Sequence, residues 1–160
     1  MRSGAIENLE LIEKQITLLE HKIEYGFEQM FNPLADVRGL NKIYAAAIIA
    51  ESEDIDYFKN RDQYYNFTGF VPRYAQSGKF ESKFNHVNKC GSSYLRHYFF
   101  QAAISLCRHN AYFKNLFIKK HVIEKKSKDE AHVYCAKKLC HIAFKLLKSK
   151  EKFCPEKLVH

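Results

Sequence analysis

The 160-residue chain is long enough for one domain with a buried core, and its hydrophobic fraction of 46% is ordinary for a globular protein. No apolar run reaches the roughly 20 residues that a membrane-spanning helix needs, and no secretory signal pattern opens the sequence. The five cysteines are odd in number and have no disulfide-like rhythm, which favours a reducing compartment. We therefore expect a cytoplasmic protein that does not enter a membrane.

Charge is distributed unevenly along the chain. Residues 1–62 contain 7 Lys and Arg against 12 Asp and Glu, a balance of −5, whereas residues 63–160 contain 19 against 6, a balance of +13. A solvated lysine-rich surface is one interpretation of the basic half, and a surface that faces a polyanion is the other. The size of the imbalance favours nucleic acid, and we expect DNA as the partner.

The spacing of apolar residues predicts one long helix over residues 5–31. Leu9, Ile12, Ile16, Leu19 and Ile23 alternate at three and four residues, which is the a/d seam of a coiled coil about three heptads long. Such a seam pairs with a partner chain or a second helix, or it packs on its own domain. The pattern leaves these alternatives open.

A short helix, a tight turn and an Ala-rich helix are predicted over residues 34–50, an order that resembles a helix-hairpin-helix. In that motif a Gly-x-Gly turn and the following helix N-terminus direct backbone N–H groups at a phosphate. Here Gly39 holds the first glycine position and Asn41 the second, with Lys42 next. Asn tolerates the left-handed conformation, so we expect Asn41 to replace the glycine. An ordinary helical hairpin is the alternative.

Helical periodicity continues through the rest of the chain, so the predicted fold is all-α. Residues 57–70 predict a short helix, residues 74–88 a loop or irregular hairpin, and residues 92–107, 110–121 and 131–147 three further helices. Arg96 lies in the first turn of its helix, where a cation opposes the helix dipole unless a phosphate is near. Arg108 and Lys138 leave the apolar faces of their helices and are further candidates for phosphate contact.

The stretch 69–96 combines a hydroxyl, glycines and several cations. Ser77 precedes Gly78, and Arg73, Lys79 and Lys89 surround them. A serine nucleophile needs a base or metal to activate its hydroxyl, and nothing near Ser77 in the sequence qualifies. The stretch is therefore interpreted either as a turn or as half of a composite phosphodiester site.

No metal site is predicted in this chain. His132, Cys135, Cys140 and His141 do not form the two converging pairs that tetrahedral zinc requires, so buried cysteines are the better interpretation. The acidic segment 51–56 has no ligand spacing and is expected to be a solvated loop.

Taken in order, the motifs of the chain resemble those of a known family. They are Val37-Arg-Gly-Leu-Asn41, Ala-Ala-Ala-Ile-Ile-Ala-Glu51, Asp54-Ile-Asp-Tyr-Phe58, Gly69-Phe-Val-Pro-Arg73, Gln76-Ser-Gly-Lys79, Val87-Asn-Lys-Cys-Gly91, Tyr94-Leu-Arg96, Gln101-Ala-Ala103 and Ala136-Lys-Lys-Leu139. Their order and spacing over residues 30–155 resemble the C-terminal domain of DEDD-type insertion-sequence transposases, which include the Piv/MooV invertases and the bridge-RNA-guided recombinases. The chain departs from the family at Arg38-Gly-Leu-Asn41, where Pro-Gly-Ile-Gly is usual, and at Lys79, where a second glycine is common.

The resemblance implies a function and a domain organisation. Ser77 would be the nucleophile that attacks a DNA phosphodiester, and a separate carboxylate domain with magnesium would complete the site. The family also implies a homo-oligomer, joined here through the N-terminal helix, and a structured guide RNA. We expect a helical arm at 1–31, a transposase domain at 32–155 and a tail at 156–160, in a truncated or split transposase. A non-catalytic nucleic-acid-binding module and a coiled-coil oligomerisation protein are the alternatives.

Overall fold

A computed structural model describes residues 2–29, 32–71, 76–77, 80–81, 91–151 and 153–154. Arg73, Lys79, Lys89 and the tail at 156–160 lie outside this described part, and only the backbone of Ser77 belongs to it. Six α-helices dominate these residues, so the predicted all-α fold is confirmed. The chain divides into two compact units, Met1–Asn32 and Pro33–His160.

The first unit contains one helix, α1 (Arg2–Gln29). Its predicted a/d seam is exposed, since the side chains of Leu9, Ile12, Ile16, Leu19 and Ile23 keep 44–61% of their surface. A row of aliphatic side chains at heptad spacing is costly to leave in water. The seam is therefore available to another helix.

The second unit contains the other helices. They are α2 (Lys42–Glu51), a 3-10 turn (Ile55–Tyr57), α3 (Arg61–Thr68), α4 (Ser93–His109), α5 (Ala111–Ile118), a π-helical turn (Lys119–Ile123) and α6 (Lys128–Ser149). Between α3 and α4, β1 (Gln76–Ser77) and β2 (Phe80–Glu81) pair antiparallel, with Ser77 opposite Phe80. This short pair agrees with the irregular hairpin that was one prediction for residues 74–88.

Helix α4 lies at the centre of the second unit, in contact with α2, α3, α5 and α6. It begins as predicted, because the Ser92 hydroxyl accepts a hydrogen bond from Leu95 N at 3.1 Å and caps the first turn. Its apolar residues recur at helical spacing and are buried on one face, as Leu95, Phe99, Ala102, Ala103 and Leu106. The core of the unit is built around this face.

Tyr64 of α3 makes both aromatic contacts and a buried hydrogen bond in the core. Its ring contacts Phe99 of α4 and Phe144 of α6, with centroids 6.2 and 5.8 Å apart. Its hydroxyl is 2.5 Å from Ser52 Oγ, which also donates to the Ile48 carbonyl. Burial strongly raises the pKa of Tyr64, so the phenol stays neutral and needs a hydrogen-bond partner in the core. The Tyr64 side chain is fully buried.

Helix α6 begins three residues before its predicted start. Ser127 and Glu130 form a capping box: the Ser127 hydroxyl accepts from Glu130 N at 3.2 Å, and the Glu130 carboxylate accepts from Ser127 N at 3.0 Å. These bonds hold Lys128 in the first helical turn. The preceding residues include the π-helical turn that continues α5.

Candidate nucleic-acid interface

The turn before α2 differs from the predicted helix-hairpin-helix. Residues 34–39 form turns rather than a first helix, and Asn41 has φ −67° and ψ 136°, which is extended rather than left-handed. The prediction of a left-handed Asn41 is therefore wrong. Its side chain instead accepts a hydrogen bond from Ile43 N at 2.8 Å and caps α2. A capping Asn is preferred at a helix start, and that preference decides the backbone conformation here.

Gly39 is the residue of this turn that needs to be glycine. Its φ is +90°, and a Cβ at this position would lie 2.9 Å from His109 Cβ. Its carbonyl accepts a hydrogen bond from Ser105 Oγ at 3.0 Å, and the Arg38 carbonyl accepts from Asn110 Nδ2 at 2.9 Å. These hydrogen bonds hold the turn against the C-terminal end of α4, which is more than 60 residues away in the sequence.

These contacts bring several predicted site residues to one end of α4, which we call the turn end. Lys42 opens α2 there and is exposed, as is Arg108 in the last turn of α4. Asn110 also caps α5, accepting from Tyr112 N at 3.0 Å. Two helix N-termini, each with a partial positive charge, therefore lie beside two exposed cations. Such an arrangement favours an anion.

Lys138 of α6 extends the turn end. Its ammonium group is 5.8 Å from the ring centroid of Tyr112, in the first turn of α5. This is a cation–π distance, so the lysine is held over the ring while its charge remains available. Contacts with α4 and α5 therefore bring five predicted site residues to the turn end: Gly39, Asn41, Lys42, Arg108 and Lys138.

Arg96 lies at the opposite end of α4, which we call the hairpin end. Twelve residues separate Arg96 from Arg108, about 18 Å along the helix axis. At the hairpin end Ser92 N donates to the Phe67 carbonyl at 2.9 Å, and Ser92 Oγ lies 3.3 Å from a Glu51 carboxylate oxygen. The predicted phosphate-contacting residues that the structure describes thus belong to two regions rather than one.

The stretch that carries Ser77 leaves and returns at the hairpin end. The bond from Ser92 to Phe67 joins the start of α4 to the end of α3, and Gly91 is packed against the backbone of Phe67 and Gly69. The segment between these two points therefore has its first and last residues close together in space. The two ends of the stretch that carries Ser77 therefore lie beside the start of α4.

Arg96 has a buried polar atom that finds no hydrogen-bond partner among the described residues. Its Nη1 is buried and forms no hydrogen bond within the described part of the chain. A buried guanidinium nitrogen is costly to leave unsatisfied, and a phosphate oxygen is a geometrically suitable partner for it. The sequence argument from the helix dipole pointed to the same residue.

Cys135, Cys140 and His132 of α6 are packed against other residues of the second unit. Cys135 and Cys140 are buried, and burial raises the pKa of Cys140. Cys135 lies against Cys107, and both thiols donate to the Phe113 carbonyl, at 3.9 and 3.8 Å. His132 is stacked on Phe117 with centroids 4.7 Å apart, and desolvation lowers its pKa.

The described residues do not provide a site for the magnesium implied by the resemblance. Nowhere among them do three or more His, Cys, Asp or Glu side chains cluster closely enough to hold a metal ion. We assign no step to magnesium through these residues.

The sequence did not single out two features of the interface. Asn110 links Arg38 to α5, and a local signal existed, because Asn before a helix is a capping pattern. The π-helical turn after α5 was not predicted, because the helix predicted over residues 110–121 ended within it.

Comparison with known proteins gives a family for this chain. Residues 32–117, more than half of its length, match the model described as transposase IS116/IS110/IS902 family. No curated protein matches the chain. Among the described helices, none is long and apolar enough to cross a membrane.

Proposed function

The chain belongs to the IS116/IS110/IS902 transposase family, and on this basis we propose that it binds DNA and carries Ser77 as the nucleophile of strand cleavage and transfer. The family match over residues 32–117 carries the proposal, because that range includes the Ser77 stretch, Arg96 and, from the turn end, residues 39–42 and Arg108. The charge of the molecule supports it, since residues 63–160 have a balance of +13.

The two ends of α4 have different roles in this proposal. At the hairpin end, Arg96 offers an unsatisfied guanidinium nitrogen to the phosphate that Ser77 attacks, with Arg73, Lys79 and Lys89 as further contacts. At the turn end, Lys42, Arg108 and Lys138 contact phosphates farther along the duplex. Phosphates about 18 Å apart along one groove lie within a single short DNA site, so both ends reach one molecule.

The salt dependence of DNA binding tests the proposed DNA contact. We expect the affinity for a 30-bp duplex to fall steeply with salt, and Lys42→Gln and Arg108→Gln each to reduce the slope of log K against log salt by about 0.9. Fluorescence anisotropy of the labelled duplex across a salt series measures the affinity and its slope. Lys59→Gln is the matched control, because Lys59 is exposed in the acidic half of the sequence. A flat response in the unmodified chain excludes the proposed DNA binding.

We further propose that α1 joins two copies of the chain through its exposed a/d seam. Aliphatic side chains at each a/d position from Leu9 to Ile23 supply the apolar seam that a helical dimer requires. Ile16→Asp places a charge in the middle of the seam and is expected to convert the dimer to monomer, since an unpaired buried carboxylate costs several kcal/mol. Light scattering measures the mass. Lys14→Asp, at an outward heptad position of the same helix, is the control, and an unmodified chain that is already monomeric contradicts the proposal.

A further inference from the structure

Aliphatic side chains are exposed where α5 passes into α6. Val122 and Ile123, in the π-helical turn, keep 62% and 70% of their surface, although both are strongly apolar. We call residues 118–128 the connector tip. It begins directly after residue 117, where the family match ends, so its features are outside the matched range.

The backbone of the connector tip is well organised by hydrogen bonds. Glu124 N donates to the Lys119 carbonyl at 3.0 Å, and Lys126 N donates to the Lys120 carbonyl at 3.1 Å. His121 Nδ1 lies 2.8 Å from the Lys126 carbonyl oxygen. The capping box of α6 fixes its other end. Val122 and Ile123 are therefore held at the surface by an ordered turn, and π-helical turns are frequent at functional sites.

Glu124, the carboxylate of the connector tip, already has a partner, whereas several cations of the tip pair with no carboxylate in the described part of the chain. Glu124 accepts from the Lys120 ammonium at 2.8 Å, which lowers the pKa of Glu124, and Glu130 is engaged in the capping box. Lys119, Lys125 and Lys128 are exposed and pair with no carboxylate in the described ranges. The tip thus exposes two aliphatic side chains on a short segment that also carries three exposed lysines.

We propose that the connector tip is a wedge that enters the minor groove of duplex DNA. Val122 and Ile123 contact the sugar and base edges and partly unstack a base step, while Lys119, Lys125 and Lys128 contact the phosphates on either side. Proteins that kink DNA from the minor groove combine these two chemistries. The positive charge of the lysines near Val122 and Ile123 favours a polyanion as the partner over an apolar protein surface. The inference rests on the proposed DNA binding.

Two variants separate the wedge from the phosphate contacts. Val122→Ser with Ile123→Ser is expected to weaken binding to an A·T-rich 30-bp duplex about tenfold and to abolish the increase in 2-aminopurine fluorescence that reports unstacking. Its salt slope should remain unchanged. Lys119→Gln, Lys125→Gln and Lys128→Gln together should reduce the slope by about 0.9 for each lysine. These side chains are exposed, so circular dichroism should show the native helix content.

Leu11→Ser is the matched control, because Leu11 is an exposed aliphatic residue of α1. If the serine pair binds and unstacks the duplex as the unmodified chain does, the wedge is wrong and DNA binding stands. If the unmodified chain does not bind the duplex, both proposals are wrong. If the serine pair weakens binding to duplex RNA of the same sequence more than binding to DNA, the assignment to DNA is overturned.

Discussion

Gly91→Ala is expected to destabilise the second unit by about 3 kcal/mol or more. Gly91 has φ +135°, a conformation that L residues rarely adopt, and an added Cβ would overlap the carbonyl oxygen of Phe67. It would also lie 3.0 Å from Gly69 N. Every one of these neighbours is backbone, so no side-chain rotation can relieve the overlap. Urea unfolding followed by circular dichroism measures the loss as a lower midpoint.

The effect of Gly91→Ala should extend to function. The overlap pushes the end of α3 away from the start of α4 and breaks the bond from Ser92 N to the Phe67 carbonyl, which joins the two ends of the Ser77 stretch. Gly26→Ala is the matched control. A Cβ on Gly26 meets no atom within 4 Å, and alanine in a helix interior is favoured over glycine by roughly 0.5–1 kcal/mol. Equal midpoints for Gly91→Ala and the unmodified chain would contradict the packing described for this turn.

The helices could be predicted from the sequence because their signals are local. Periodic apolar residues located α4 and α6, and residue 92 was the predicted start of α4, where the structure has the N-cap. The fold around Asn41 could not be predicted so well. Two local preferences compete there, the left-handed tolerance of Asn and its capping preference, and the contacts of Gly39 with Ser105 and His109 are distant in sequence.

The residues of the candidate site could be predicted from their type, but their arrangement in space could not. The sequence identified Arg96, Arg108 and Lys138 as cations outside the apolar faces, but their distribution over two ends of α4 depends on which helices pack together. The direction of α2 relative to α4 decides which end of α4 Lys42 and the turn before it reach. Contacts of Gly39 with Ser105 and of Glu51 with Ser92 show that the two helices run antiparallel, and such long-range contacts have no signature in one sequence.

Ser77→Ala is expected to abolish covalent capture of DNA, with a loss of more than about a thousandfold. In the proposed reaction Ser77 Oγ bonds to phosphorus while the phosphorus–oxygen bond to one deoxyribose breaks. The serine proton is given up and the released deoxyribose oxygen takes one, so protons balance. The reaction mixture contains end-labelled cognate DNA, magnesium and a carboxylate-bearing domain of the family as a separate polypeptide. A denaturing gel then reports the adduct.

Ser93→Ala separates loss of the nucleophile from damage to the hairpin end. Ser93 is an exposed hydroxyl in the first turn of α4, whereas Ser92 makes the cap, so Ser93→Ala should form the adduct at the rate of the unmodified chain. Ser77→Ala should still bind the duplex with an unchanged salt slope, because phosphate contacts come from the cations. An adduct of normal yield with Ser77→Ala would show that another residue attacks the DNA. The hairpin end would then hold a phosphate without cutting it, and Arg96 would be a binding residue only.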